Sequence, residues 1–245
     1  MSATITFATA HRVLAQLRHD RRTVVLVVAL PAIELTLLRF VLDADPAVFD
    51  RWAVPLLGVF PLITMFLVTS VAMLRERTSG TLERLLTTPL HKLDLLVGYG
   101  LAFALAATVQ AVATCGVAYG LLGLETRGSA WLVVAIAVAN ALLGMALGLF
   151  TSAFARSEFQ ATQLLPAVVV PQLLLCGLIW PRNKMAPALE AISNLLPMTY
   201  TINALTEVTT HGVATAALWR NLSIVTLTAI TALLLGALTL RRRTA

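Results

Sequence analysis

Six apolar runs constrain this chain more than any other feature: residues 24–42, 52–74, 95–122, 131–154, 164–180 and 222–240 carry few charges over lengths that suit a bilayer. A helix rises about 1.5 Å per residue, so roughly 20 apolar residues cross about 30 Å of hydrocarbon. Residues 1–245 therefore read as one transmembrane domain, an all-α polytopic membrane protein with six spans. The remaining sequence is too short for a catalytic domain. A mean hydropathy of +0.86, with 58% apolar and 12% charged residues, agrees with a lipid solvent.

The segments between the spans carry the charge. Residues 1–22 alternate Phe7, Val13, Leu14 and Leu17 with His11, Arg12, Arg18, Arg21 and Arg22, the pattern of an interfacial helix at the membrane surface. An even number of spans puts both ends on one side. Arg12, Arg18, Arg21, Arg22, Arg75, Arg77, Arg84, Lys92, Arg156, Arg241, Arg242 and Arg243 fall on that side, against Arg39, Arg51, Arg127, Arg182, Lys184 and Arg220 on the other. The positive-inside rule makes both termini cytoplasmic. Alanine, leucine, valine and arginine are abundant and lysine is scarce, which points to a high-GC bacterium and hence its inner membrane.

A net charge of +6 does not make this a nucleic-acid binder, because the basic residues flank apolar runs and are not interleaved with aromatics. Cys115 and Cys176 lie inside apolar runs and read as buried thiols, not as a disulfide or metal site. His11, His19, His91 and His211 lie outside the spans, so no embedded nucleophile and base pair is available for hydrolysis.

Within the spans, Gly116 with Gly120 and Gly144 with Gly148 form small-xxx-small pairs suited to helix packing. Pro166 and Pro171 predict a kink or break in the fifth span, of the kind that lines a path. Glu34 sits near the middle of the first span. An ionised carboxylate is costly there, so it is either a site for a cationic substrate or a protonated, hydrogen-bonded packing residue. Asn140 is a second path candidate that also suits interhelical hydrogen bonding. Residues 181–221 contain two short helical pieces, 188–196 and 199–211, read as external re-entrant or interfacial helices.

Residues 75–92 are the most informative loop. In Arg75-Glu76-Arg77-Thr78-Ser79-Gly80-Thr81-Leu82-Glu83-Arg84-Leu85-Leu86-Thr87-Thr88-Pro89, Gly80 ends the second span. Leu82, Leu85 and Leu86 then share one face of a short helix opposite Glu83 and Arg84. Thr88 and Pro89 suit the start of the next helix.

This loop, with the following His91-Lys92-Leu93-Asp94-Leu95-Leu96-Val97-Gly98-Tyr99-Gly100, closely resembles that of type-2 ABC transporter permeases, the daunorubicin-resistance kind in particular. Leu196-Pro197-Met198-Thr199-Tyr200 and Asn203-Ala204-Leu205 resemble the stretch such permeases carry before the last span. Glu34 departs from the apolar residue expected in the first span. The resemblance implies a membrane subunit that exports a hydrophobic or amphipathic compound, drug or lipid, by alternating access. Two cytoplasmic ATPase subunits would bring ATP and magnesium, and a second permease copy or a related chain would complete the pair. It places the coupling contact at Glu76, Gly80, Thr81, Leu82, Glu83, Arg84, Leu85 and Leu86. A Walker A loop ends in Gly-Lys-Ser/Thr, whereas the only lysines here are Lys92 and Lys184, after His91 and Asn183. The ATPase is thus expected on another polypeptide. No metal or other cofactor is expected in this chain. The alternative from another class is a proton-coupled multidrug carrier using Glu34, weakened by the scarcity of other intramembrane ionisable groups.

Overall fold

A computed structural model of the chain describes residues 3–79 and 92–239. The predicted coupling residues Gly80, Thr81, Leu82, Glu83, Arg84, Leu85 and Leu86, with the C-terminal arginines, lie outside the described residues. Among those described there is no strand. The helices are α1 (Ala3–His19), α2 (Arg21–Val41), α3 (Pro46–Thr78), α4 (Lys92–Gly120), α5 (Ala130–Thr151), α6 (Glu158–Leu175), α7 (Pro187–Ser193), α8 (Pro197–Thr210) and α9 (Ala216–Thr239). One 3₁₀ turn spans Arg182–Lys184.

Local chemistry sets several starts. Asp20, Asp45, Ser129 and Ser157 each accept a backbone N–H with the side chain at the head of α2, α3, α5 and α6. These caps satisfy donors that the first helical turn leaves unpaired. Pro46, Pro187 and Pro197 occupy the first turns of α3, α7 and α8, where a missing N–H costs nothing.

Among the described residues, five helices are long and apolar enough to cross a membrane: Thr23–Val41, Pro46–Thr78, Val97–Gly120, Ala130–Thr151 and Ala216–Thr239. The predicted fifth span, 164–180, needs correction. Its helix starts earlier and stops at Leu175, and polar Glu158, Gln160 and Gln163 dilute its first turns. Yet α6 still runs the length of the bundle. Glu158 meets Arg75 at the end of α3, while Gly177 and Leu178 line a cavity with Asp50 and Arg51 near the start of α3. Eighteen helical residues reach about 27 Å, but α6 is not among the helices long and apolar enough to cross a membrane.

The prolines in α6 do not break it. The helix is continuous through Pro166 and Pro171, both exposed, and the chain leaves helical geometry only at residues 176–180. There Gly177 takes φ +92°, a conformation that favours glycine.

α3 and α5 form the central pair of the bundle. Gly144 and Gly148 make this possible: a Cβ at Gly144 would overlap the Leu62 carbonyl, and one at Gly148 the Phe66 carbonyl. Gly116 and Gly120 behave differently from Gly144 and Gly148. Nothing among the described residues lies within 4 Å of a Cβ built at either, so among these residues the α4 pair packs against no other helix. α1 does more than lie on a surface. Ala10 and Val13 are buried in one apolar cluster with Tyr99 and Phe103, and Gly98 lets α4 approach Thr6 and Thr9. Cys115 and Cys176 are buried and free.

Candidate functional site

The C-terminal turn of α3 feeds directly into residues 80–91, and two of its neighbouring side chains hold it to different helices. Glu76 is 8% exposed. Its Oε1 accepts from Arg12 Nη1 at 3.0 Å, and Arg12 Nη2 donates to Tyr99 Oη at 2.8 Å. The same guanidinium sits 5.8 Å from the Tyr99 ring centroid. Burial pulls the Arg12 guanidinium down, but Tyr99 and Glu76 more than offset it and leave the group above its ordinary value. It stays charged at any physiological pH.

Arg75, one residue earlier, points the other way. Its Nε donates to Glu158 Oε1 at 2.7 Å and its Nη2 to Oε2 at 3.1 Å, a bidentate fork onto the first residue of α6. The end of α3 is thereby tied to α1 and α4 on one side and to α6 on the other. Sequence reasoning found Glu76 but missed Arg12, Tyr99, Arg75 and Glu158 as its setting. The only signal was that polar residues with hydrogen-bonding reach cluster at the ends of runs destined to share one end of the bundle.

At the opposite end, the short helices after α6 are built into the bundle. Asn140 is fully buried on α5; its Nδ2 donates to Gly58 O at 2.7 Å, and its Oδ1 accepts from Thr201 Oγ1 at 2.9 Å. It joins α3, α5 and α8. Around it, Met198 N donates to Gln172 Oε1 at 3.4 Å, Thr199 Oγ1 to Ser193 O at 2.7 Å, and Tyr200 Oη to Asn194 O at 2.7 Å. The Pro197–Thr201 stretch is thus the hinge pin of α7 and α8, each polar side chain closing the turn or anchoring it to a span. Asn140→Leu removes both interhelical bonds, each contributing about 0.5–1.5 kcal/mol net, while the Thr201 hydroxyl keeps the Pro197 carbonyl within 3.5 Å and the Gly58 carbonyl keeps its place in the α3 ladder. A lowered melting temperature of the detergent-solubilised chain, only partly restored by adding Thr201→Val, is the expected result.

The four path candidates do not converge. Glu34 is exposed on α2, on a face with Ile33, Leu37 and Phe40; Pro166 and Pro171 are exposed on α6; Asn140 is enclosed among α3, α5 and α8. Arg39, from the same helix as Glu34, reaches Asp43 at 3.3 Å in the α2–α3 turn. A cavity of about 810 Å³ does open at this end, lined by Asp50, Arg51, Glu125, Arg127, Ile202 and Thr206 among others. Its charged residues come from two separate segments, 50–51 and 125–127, and no local motif announces them. Among the described residues no group of His, Cys, Asp and Glu is arranged to hold a metal ion.

Known proteins are similar to this chain in sequence. The ABC-2 type transporter family matches residues 5–209. ABC transporter G family member 20 of Dictyostelium discoideum is 30% identical over 146 residues, 60% of this chain and 20% of that protein. The probable multidrug ABC transporter permease YbhS of Escherichia coli (strain K12) is 27% identical over 140 residues, 57% of this chain and 37% of the relative. The inner membrane transport permease YhhJ of Escherichia coli (strain K12) is 26% identical over 187 residues, 75% of this chain and 49% of the relative. The matched stretch thus spans half or less of the length of each of these relatives. With most of the chain covered by the family and an all-helical, multi-pass bundle to match, the protein belongs to the ABC-2 type transporter membrane family.

Proposed function

We propose that this chain is the membrane subunit of an ATP-driven exporter for hydrophobic or amphipathic compounds, drugs or lipids, working as a pair with a second copy or a related chain. ATP and magnesium would be handled by two cytoplasmic ATPase subunits on separate polypeptides. The end bearing α1 and residues 80–91 would face the cytoplasm of a bacterium, with the protein in its inner membrane. The probable multidrug permease among the relatives supports the substrate class, and the sparsely charged spans suit it.

The observation that carries the reading is the clamp at the end of α3. A force applied to residues 80–86 enters a helix end fixed by Glu76 to Arg12 and Tyr99 and by Arg75 to Glu158. Displacement of the loop would therefore move α1, α3, α4 and α6 together. Nucleotide binding in the partner would favour one arrangement of the bundle and hydrolysis another, through differential contact at the loop.

The test is nucleotide-dependent transport in liposomes holding the chain with its co-purified ATPase subunit. A Glu83→Arg, Leu86→Asp variant reverses one charge and replaces an apolar side chain with a carboxylate. Loss of ATP-driven transport to background, with the variant still folded in detergent, is the expected result. Transport driven by a proton gradient in the chain alone, abolished by Glu34→Gln, would overturn the reading.

A further inference from the structure

We propose that the wedge between α1 and α2 is a binding site for the phosphate headgroup of an anionic phospholipid. The wedge holds about 730 Å³ and is lined by His11, Leu14, Ala15, Arg18, His19 and Arg21. It exists because α1 packs along α4, with little contact along α2. Ala10 and Val13 turn into the core cluster, which leaves the face carrying His11, Ala15 and Arg18, at helical spacing, turned toward the elbow.

The lining combines two chemistries. Leu14 and Ala15 form an apolar floor, and the walls are two arginines, which are cationic, with two histidines beside them. Asp20 is the acid closest in sequence, and its carboxylate caps α2, accepting from Thr23 N at 3.2 Å and Thr23 Oγ1 at 2.7 Å. The His19 ring bonds the Ala15 carbonyl at 2.7 Å, which fixes its orientation along the wedge. An anion entering here meets Arg18 and Arg21, while the Asp20 carboxylate is engaged at the head of α2.

Depth selects a lipid over a soluble phosphate. The first span begins at Thr23, and Val24, Val25 and Leu26 are exposed on its outer surface. Arg21 lies within one helical turn of them, so the arginines stand at headgroup level while exposed apolar surface begins one turn, about 5 Å, further in. A phosphodiester between the arginines would leave its acyl chains along Val24–Leu26. Basic residues at this position contribute to binding of anionic lipid without needing a specific sequence motif.

The experiment is native mass spectrometry of the purified full chain in detergent, titrated with palmitoyl-oleoyl phosphatidylglycerol or with phosphatidylcholine of the same chains. One phosphatidylglycerol is expected to bind tightly, with an affinity that falls about thirtyfold in Arg18→Gln/Arg21→Gln. Arg18→Lys/Arg21→Lys should keep the preference for the anionic lipid, which separates lost charge from a damaged fold. Arg156→Gln, at an exposed arginine near the start of α6, should bind as the unmodified chain does. Equal loss in Arg156→Gln, unchanged binding in the Arg18→Gln/Arg21→Gln variant, or displacement of the lipid by an equal concentration of inorganic phosphate would each overturn the proposal.

Discussion

Gly148→Leu is expected to prevent the bundle from closing, and Gly144→Leu to do nearly as much. At both positions the added side chain meets backbone, the carbonyls of Phe66 and Leu62, on the helix that forms the central pair with α5. A flexible side chain could rotate aside; a carbonyl in the middle of α3 can move only with its helix. Thr69 adds to the loss at Gly148, because its hydroxyl bridges the two helices through Met145 O at 3.2 Å and lies where the new Cβ would go. Overpacking of a close core costs about 1–3 kcal/mol and more where nothing can relax, so at least about 3 kcal/mol is expected here. In lipid there is no hydrophobic drive to push the helices back together, since the association rests on close packing and interhelical hydrogen bonds. Size-exclusion profiles and melting curves of the solubilised chain should show aggregated or early-melting Gly148→Leu protein. Gly116→Leu, on the open face of α4, should melt with the unmodified chain. A Gly148→Leu protein that melts normally would mean that α3 and α5 are not in backbone contact.

Which glycine pair packs inside the chain was not legible in the sequence. Gly116–Gly120 and Gly144–Gly148 have the same spacing and the same apolar surroundings, and only the placement of α3 distinguishes them. The spans themselves were legible, because in a bilayer each must satisfy its backbone within its own helix, so run length alone marks it. α6 was the weak point. Pro166 and Pro171 predict a kink or break, and the helix continues unbroken through both to Leu175, with the break at residues 176–180 around Gly177. Asn140 was singled out for its polarity in an apolar run, but its partners lie 82 residues away at Gly58 and 61 at Thr201, separations no local pattern reports. Glu76 was reached through the resemblance of its loop, while the long-range reach of Arg12 across α1 was invisible until α1 was seen packed on α4.

Glu76→Ala is expected to destabilise the protein and, on the proposed exporter function, to uncouple ATP turnover from transport, and the two effects should separate under a second substitution. The Arg12 and Glu76 side chains are 30% and 10% exposed, so the pair lies between a surface bridge worth at most about 1 kcal/mol and a buried one whose broken form costs about 3–5 kcal/mol. Removing the carboxylate leaves Arg12 bonded to Tyr99 alone in a largely apolar setting, and a loss of about 2 kcal/mol follows. Replacing both charges, Arg12→Leu with Glu76→Leu, removes the unpaired ion and should recover most of that stability, because well-packed apolar substitutes often match a buried ion pair. Apolar contact lacks the directional hold of two charge-assisted bonds on one guanidinium, so the double variant should fold, associate with the ATPase subunit and hydrolyse ATP without moving substrate. Melting curves measure the first effect and paired ATPase and transport assays in liposomes measure the second. If the double variant transports as the unmodified chain does, Arg12 and Glu76 only fasten α1 to the bundle, and the transmitted force must pass through Arg75 and Glu158 instead.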